Sequence, residues 1–332
     1  MFISVVICTR NRADSLRRTL ESLLCSGNLE SPDWELLVIE SSTDHSAEIC
    51  REFQQRFPEH FRFLTEKKLG KSNALNTAIA EAKGDILAFT DDDVLCAPDY
   101  IEGIRTVFTS YAADAAQGRV LLDCEDGWPE WLDASYAGMA DFRDCGDEVI
   151  ELDGTLFGVN MVVRAEVFQK VGGFAPELGP GGIGVWEDTE ISLRMRQAGC
   201  RMLYAPQILV RHQWARGRLT KSFLRKRFFG QGRVLAYYEA LPVSLFRFGL
   251  HVVKETITQE VLAIWHLCAG RQVAALRCQF EARSRAGLFW QNWLFKRGVP
   301  RRLSGNLLIP REGETQAVEM TAGAPPDRRA PR

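Results

Sequence analysis

Gly84-Asp85-Ile86-Leu87-Ala88-Phe89-Thr90-Asp91-Asp92-Asp93 is the stretch whose reading decides the fold. A glycine ends the preceding segment, an apolar run follows without a polar break, and the run stops on three carboxylates. A short apolar run bounded in this way reads as a strand inside a parallel sheet covered by helices. Upstream, the same rhythm repeats. Phe2 to Cys8, Trp34 to Ile39 and Phe61 to Leu64 read as strands. Leu16, Leu20, Leu23 and Leu24 follow the first at helical spacing, Ile49 and Phe53 share a helix face after the second, and Ser72 to Ala82 is a helix rich in Ala and Leu. Strand and helix in alternation predict a doubly wound, Rossmann-like α/β fold with a mainly parallel sheet.

Downstream of the carboxylates the pattern loosens. Gly118 to Asp153, with Trp128, Trp131 and Tyr136, reads as a variable insertion over a site. Phe157 to Val163 reads as a strand, Gly172-Gly173-Phe174 as a turn, and Gly179 to Gly184 as a glycine-rich loop before Trp186-Glu187-Asp188-Thr189. A helix with Ile191, Met195 and Ala198 on one face ends at Gly199, and Tyr204 to His212 supplies a last strand. Beyond it comes a C-terminal helical extension. Its first part carries Arg216, Arg218, Lys221, Arg225, Lys226, Arg227 and Arg233, interleaved with Phe223, Leu224, Phe228 and Phe229. Two further amphipathic segments, Ser244 to Leu267 and Gln272 to Leu288, contain Trp265, Phe280 and nearby Trp290 and Trp293. The expected organisation is a catalytic unit over 1–214, divided near 115 into two halves, a basic helical region over 215–300, and a disordered tail over 301–332.

The 332 residues are 46% hydrophobic and 25% charged, and 41 Lys and Arg against 43 Asp and Glu leave a net charge of −2. That balance argues against a surface built for nucleic acid. Nine cysteines without a Cys-x-x-Cys pair argue against a disulfide scaffold or zinc ribbon. No apolar run approaches the roughly 20 residues of a membrane span, and the first residues lack the pattern of a secretory leader. A cytoplasmic protein is expected, with contact at the inner face of the membrane left open.

In a doubly wound sheet, ligands bind at the carboxyl ends of the strands. Thr9, Glu40, Glu66 to Lys71 and the aspartate triplet all follow strand ends and converge on one edge. If the triplet is extended, Asp91 and Asp93 project to one side and Asp92 to the other, so the first two can share a divalent cation that also binds a diphosphate. A solvated acidic turn is the alternative. Glu187 and Asp188 open a helix, where carboxylates complement the helix dipole; equally, Asp188 can be a general base. His212 closes a strand and is either a packed histidine or a third metal ligand. Thr9-Arg10-Asn11-Arg12 either caps a helix or binds phosphate.

These pieces, in this order, resemble the family 2 glycosyltransferases, which have the GT-A fold and use nucleotide-diphosphate sugars. The resemblance rests on Val5 to Arg12, Glu40-Ser41-Ser42-Thr43-Asp44, Gly70-Lys71-Ser72-Asn73-Ala74-Leu75-Asn76, Thr90 to Val94, Gly172-Gly173-Phe174, Trp186-Glu187-Asp188 and His212. It covers roughly Phe2 to Val234. Carried over, it implies that Thr9, Asn11, Glu40, Lys71, Asn76, Asp91 and Asp92 bind the nucleotide sugar. Asp91, Asp93 and His212 would hold Mn²⁺ or Mg²⁺, with the aspartates as the DXD motif. Asp188 would be the catalytic base with Glu187 beside it, and Trp186 and Gly182 would face the acceptor.

The implied reaction is a single inverting displacement onto a hydroxyl of a glycan or lipid-linked acceptor, in cell-surface polysaccharide or glycolipid synthesis. Two departures bear on specificity. The family commonly has an aspartate where this chain has Ile39, so Glu40 would substitute with a longer reach; and Gln231-Gly232-Arg233-Val234 does not match the Gln-x-x-Arg-Trp signature of processive synthases. Transfer to a polyprenyl phosphate and a non-catalytic sugar-nucleotide or glycan-binding module are the alternatives. A dehydrogenase is disfavoured because Gly-x-Gly-x-x-Gly is missing after the first strand. The basic aromatic stretch after His212 has three readings: a solvated helix, a phosphate contact, or a patch on an anionic membrane.

Overall fold

The computed structural model describes residues 1–26, 32–125, 127–238 and 245–299, so the tail over 301–332 lies outside the described residues. The first half runs β1 (Ile3–Thr9), α1 (Ala13–Ser26), β2 (Trp34–Glu40), α2 (Ser46–Arg56), β3 (Phe61–Thr65), α3 (Lys71–Glu81) and β4 (Ile86–Thr90). A short β5 (Val94–Cys96), α4 (Tyr100–Ser110), β6 (Ala115–Cys124), β7 (Ile150–Glu151), β8 (Asn160–Arg164) and α5 (Ala165–Val171) follow. The chain continues through α6 (Glu187–Gln197), β9 (Met202–Trp214), α7 (Lys221–Tyr238), α8 (Leu245–Cys268) and α9 (Gln272–Lys296).

Among the described residues, nine strands form one sheet in the order β3-β2-β1-β4-β8-β6-β9-β5, with β7 paired to β9. The strands β3, β2, β1 and β4 run parallel, as do β6 and β9, while β8 is antiparallel between β4 and β6. Every residue of β2 and β4 is buried, as the unbroken apolar runs require of strands covered on both faces. Alternation divides the core. Val5 and Ile7 join α1, through Leu16, Leu20 and Leu23, on one face; Val6, Leu87 and Phe89 join α3, α5 and α6 on the other. Phe89 meets the rings of Phe168 and Phe174 edge-on at 5.8 Å, a favoured aromatic geometry.

Two boundaries differ from the sequence reading. The strand expected from Phe157 starts at Asn160, because the Asn160 N–H closes a turn onto the Phe157 carbonyl. Gly118 lies inside β6, which runs on to Cys124, so the irregular insertion begins only after that strand.

The C-terminal helices are packed onto the sheet unit. Leu224 and Phe228 of α7 and Leu276 and Phe280 of α9 enclose Leu132, Tyr136 and Met139 of the insertion. Val234 of α7 packs with Leu178, Ile183 and Val185 around the glycine-rich loop. The helical region therefore holds in place the two irregular segments that overhang the sheet edge. Among the described residues, no helix is long and apolar enough to cross a membrane.

Candidate active site

A cleft of about 570 Å³ opens at the carboxyl edge of the parallel strands. Thr9, Arg10 and Arg12 line it from the loop after β1, Ser41 from that after β2, Gly70 and Lys71 from that after β3, and Asp91 and Asp92 from that after β4. The four converging loops are those expected from the strand ends. Pro180 to Asp188 forms one wall; Trp214, Arg218, Phe223 and Arg227 form the other.

The wall containing Pro180 is held by glycine. Lys71 N–H donates to the Pro180 carbonyl at 2.8 Å, and a Cβ on Gly181 would lie 2.6 Å from the Gly70 Cα. Both glycines have positive φ, +119° and +93°, a region open to glycine at little cost. This close approach brings Lys71 to the head of α3, facing the aspartates.

The aspartate triplet is a turn, not an extended segment. Asp92 therefore turns back onto the β1 loop: its carboxylate accepts the Thr9 hydroxyl at 2.7 Å and an Arg12 N–H. Its carboxyl is pushed up to about 6, by burial and by Asp93 and Asp91 beside it, against the pull of Arg12 and Thr9. Asp91 and Asp93 remain together with His212, each offering one ligand atom within 4.8 Å of the others. His212 reaches them because β9 pairs with β5 in a register that sets His212 opposite Val94.

That trio fits a divalent cation. Asp93 Oδ1 and His212 Nε2 lie 3.3 Å apart, both buried and neither hydrogen-bonded. Buried polar atoms without partners are uncommon, and two carboxylates with an imidazole are a donor set that divalent cations take. His212 Nδ1 lies between Ala140 O at 3.1 Å and the Trp214 indole N–H at 3.2 Å; holding a cation through Nε2 would require the tautomer whose Nδ1 proton is directed at Ala140 O. The second oxygen of Asp93 accepts from Arg12 at 2.7 Å and from Arg218 at 2.8 Å. Burial opposes its charge, yet His212, Arg218 and Arg12 hold its carboxyl below the usual range.

Lys71 links this group to the head of α6. Its Nζ is 2.5 Å from Asp91 Oδ1 and 3.6 Å from Glu187 Oε1. Burial works against the ammonium, but Asp91 and Glu187 raise its pKa well above the ordinary value. Glu187 is also pushed up, to about 7, by burial and the neighbouring Asp188, against the pull of Lys71. Asp188 lines the cleft. Its Oδ2 accepts the Gly158 N–H at 2.9 Å and its Oδ1 the Thr189 N–H at 2.7 Å, which fixes the carboxylate while each oxygen keeps acceptor capacity. Trp186, in the left-handed region at φ +76°, sets the entry to α6 and also lines the cleft.

Four of the expected binding residues make contacts within the protein. Glu40 is buried, accepting the Ser42 N–H and, at 3.5 Å, the Thr65 hydroxyl. Asn11 ties the β1 loop to the β2 loop, its N–H donating to the Ser42 hydroxyl and its Oδ1 accepting the Thr43 N–H. Asn76 uses both ends of its amide on the backbone of Phe174. Gly182 packs toward the Glu177 carbonyl, which a Cβ would approach to 2.3 Å. Each of these residues takes part in holding the loops around the cleft.

Other cleft residues had no assigned role in the sequence reading. Arg12 bridges Asp92 and Asp93; it stands inside a quoted motif, and its charge beside an acidic triplet was the available signal. Arg218 and Arg227 enter from the basic stretch, for which a phosphate contact was one reading. Asp141, in the left-handed region at φ +62°, comes from the insertion and faces Arg227 at 3.7 Å. No periodicity marks it. In α7, Leu224 and Phe228 are buried, and Phe223 meets Trp214 edge-on inside the cleft, so these three side chains pack within the protein.

Comparison with known proteins agrees with this geometry. The family model of glycosyl transferase family 2 matches residues 4–172. A glucosyl-dolichyl phosphate glucuronosyltransferase of Haloferax volcanii is 26% identical over 240 residues, spanning 70% of this chain and 75% of that protein. Glycosyltransferase AglE of the same organism is 28% identical over 240 residues, spanning 70% and 73%. Mannosyltransferase PcManGT from Pyrobaculum calidifontis, solved in complex with GDP-Man and Mn²⁺, has the same fold at a TM-score of 0.54 and 19% identity, covering 89% of this chain and 79% of that one. The α/β sheet with its C-terminal helices is thus of the GT-A type, and the chain is a glycosyltransferase belonging to family 2.

Proposed function

We propose that this enzyme is a metal-dependent, inverting transferase that moves one sugar from a nucleotide-diphosphate donor to a hydroxyl of a lipid-linked or glycan acceptor, in the synthesis of cell-surface polysaccharide or glycolipid. The observation that carries the reading is that two groups with complementary tasks meet at one cleft: the Asp91, Asp93 and His212 trio, whose Asp91 lines it, and the fixed carboxylate of Asp188. In this reading residues up to about 115 bind the donor, those from about 116 to 214 present the acceptor, and the helices beyond brace both.

Asp91, Asp93 and His212 would hold Mn²⁺ or Mg²⁺, and the cation would neutralise charge on the departing diphosphate. The chain supplies the rest. Asp188 takes the proton of the acceptor hydroxyl as that oxygen forms its bond to the anomeric carbon. The bond from that carbon to the diphosphate oxygen breaks, the electron pair leaves with the nucleotide, and the configuration inverts. Lys71, Arg12 and Arg218, now paired with the aspartates, are placed to exchange part of that pairing for donor phosphates. Trp186, Trp214 and Phe223 give apolar and aromatic surface for a sugar or lipid-linked acceptor. The dolichyl phosphate in the name of the Haloferax relative supports a lipid-linked acceptor, which would be met at the inner face of a membrane.

The test is a thermal-shift screen of sugar nucleotides with and without Mn²⁺, followed by turnover with the stabilising donor and determination of the product anomer. A donor that stabilises only with Mn²⁺ and yields an inverted product supports the proposal. Retention of configuration, or binding without turnover across a broad acceptor panel, overturns it.

A further inference from the structure

The surface that looks outward from the C-terminal helices belongs to α8, not to the basic aromatic helix α7. Leu250, Val253, Ile257, Val261, Ile264 and Trp265 are 54–61% exposed. Their spacing of three and four residues puts them in a stripe, about 22 Å long at the helical rise. Val252 and Ala263, on the other side of α8, are buried. Gly249 lies against the Phe289 ring, and Glu255 and Glu260 reach Arg285 and Arg283 at 3.9 and 3.8 Å, so α8 and α9 form an antiparallel hairpin.

The charge distribution says what the stripe faces. Glu255 and Glu260 are the only carboxylates of α8, and both face arginines of α9 within the hairpin. Lys254 is exposed beside Val253 and Ile257. Arg271 covers Trp265 at one end of the hairpin, while Trp290 stacks on Trp293 and Arg297 covers that ring at the other. Tryptophan and cations flanking an apolar helix face match the region between acyl chains and headgroups, and a lysine stem can lie along such a face with its ammonium in the headgroups. A second copy of the chain would oppose cation to cation across a two-fold axis. An anionic bilayer complements both the stripe and its rim.

We propose that the outer face of α8 docks the enzyme on an anionic membrane surface, lying in the interface without crossing it. The proposal deepens the lipid-linked acceptor reading and rests on it for its purpose, but its test uses neither donor nor acceptor. The full chain is sedimented with vesicles of phosphatidylcholine alone and with about 30 mol% phosphatidylglycerol, as wild type and as the double variant Ile257→Glu with Ile264→Glu. Both replaced side chains are solvent-exposed, so an unchanged melting temperature is the folding control. The wild type is expected to bind the anionic vesicles, less so at high salt, and the variant to lose at least about ten-fold in partitioning. Equal partitioning of the variant, equal binding to both vesicle types, or no wild-type binding overturns the proposal. So does a wild-type dimer, seen by light scattering, that the variant dissociates while vesicle binding persists. Failure of the glycosyl-transfer reading would appear separately, as sugar nucleotides that are not turned over.

Discussion

His212 Nε2 faces Asp93 Oδ1 at 3.3 Å, and both atoms are buried without a hydrogen bond. Leaving a buried polar atom unpaired costs roughly 1–3 kcal/mol, so an ion bridging the two recovers stability as well as serving chemistry. Mn²⁺ at about 100 times its dissociation constant should stabilise the fold by about 2.7 kcal/mol. The melting temperature should rise accordingly in the wild type, and calorimetry should show one saturable site. His212→Ala is expected to abolish most of the rise; an unchanged shift in that variant would place the ion elsewhere.

Asp188→Asn removes a proton acceptor while keeping the size of the side chain. Its Oδ1 can still accept one of the two backbone N–H bonds that now hold the carboxylate, so the fold should survive. Loss of general-base catalysis is expected to lower kcat by about 100-fold or more, with the donor still binding. Single-turnover kinetics alongside donor titration checks this, and near-wild-type transfer would remove Asp188 from the role of base.

Glu187 gives a prediction in pH. Its folded pKa is raised to about 7 from 4.5, by burial and Asp188. Between those values the folded state binds more protons than the unfolded one, so this residue lowers stability as pH rises through the window and leaves it unaffected below. Glu187→Gln imitates the protonated acid. Relative to wild type the variant should gain in melting temperature from about pH 5 to about pH 8; a difference that is flat or shrinks over that range contradicts the assignment.

Much of this was legible in the chain. Runs such as Ile86 to Thr90 announce a strand covered on both faces, and the carboxylates that end it mark the edge where ligands collect. Asp91, Lys71 and Asp188 lie in the cleft because each follows directly on a strand end or heads a helix, positions that local pattern fixes. The roles of Glu40, Asn11 and Asn76 are less legible. Local sequence says which loop a polar residue belongs to, not whether its hydrogen bonds go to a ligand or to the backbone of a neighbouring loop. Asp141 and Arg227 were invisible because residues 86 positions apart meet only through packing of the insertion against α7.

The pair Glu190 and Arg194 is a structural counterpart to these site residues. Their side chains are 0% and 5% exposed, and Arg194 also donates to the carbonyls of Val171 and Gly173. Removing one partner strands a buried charge, at a cost of about 3–5 kcal/mol. Glu190→Gln should therefore lower the denaturation midpoint markedly, and donor affinity measured well below the melting temperature should change little. Denaturant titration distinguishes this from a catalytic role.

The acceptor side can be probed through Asp141 and Arg227, which line the cleft and lie 3.7 Å apart. Asp141 sits at φ +62°, where asparagine is well tolerated, so Asp141→Asn removes charge without backbone strain. Burial raises the Asp141 carboxyl, and Arg227, the first of the groups that oppose this, pulls it down. Neither residue is on the loops after β1, β2 or β3, to which the proposed function gives the donor. Each variant, Asp141→Asn and Arg227→Ala, is expected to raise the KM for acceptor about ten-fold, the equivalent of about 1.4 kcal/mol, and to leave the KM for the nucleotide sugar within about two-fold. If the donor KM moves instead, the two residues belong to the diphosphate side of the cleft, and the division of the site between the early loops and the insertion is wrong.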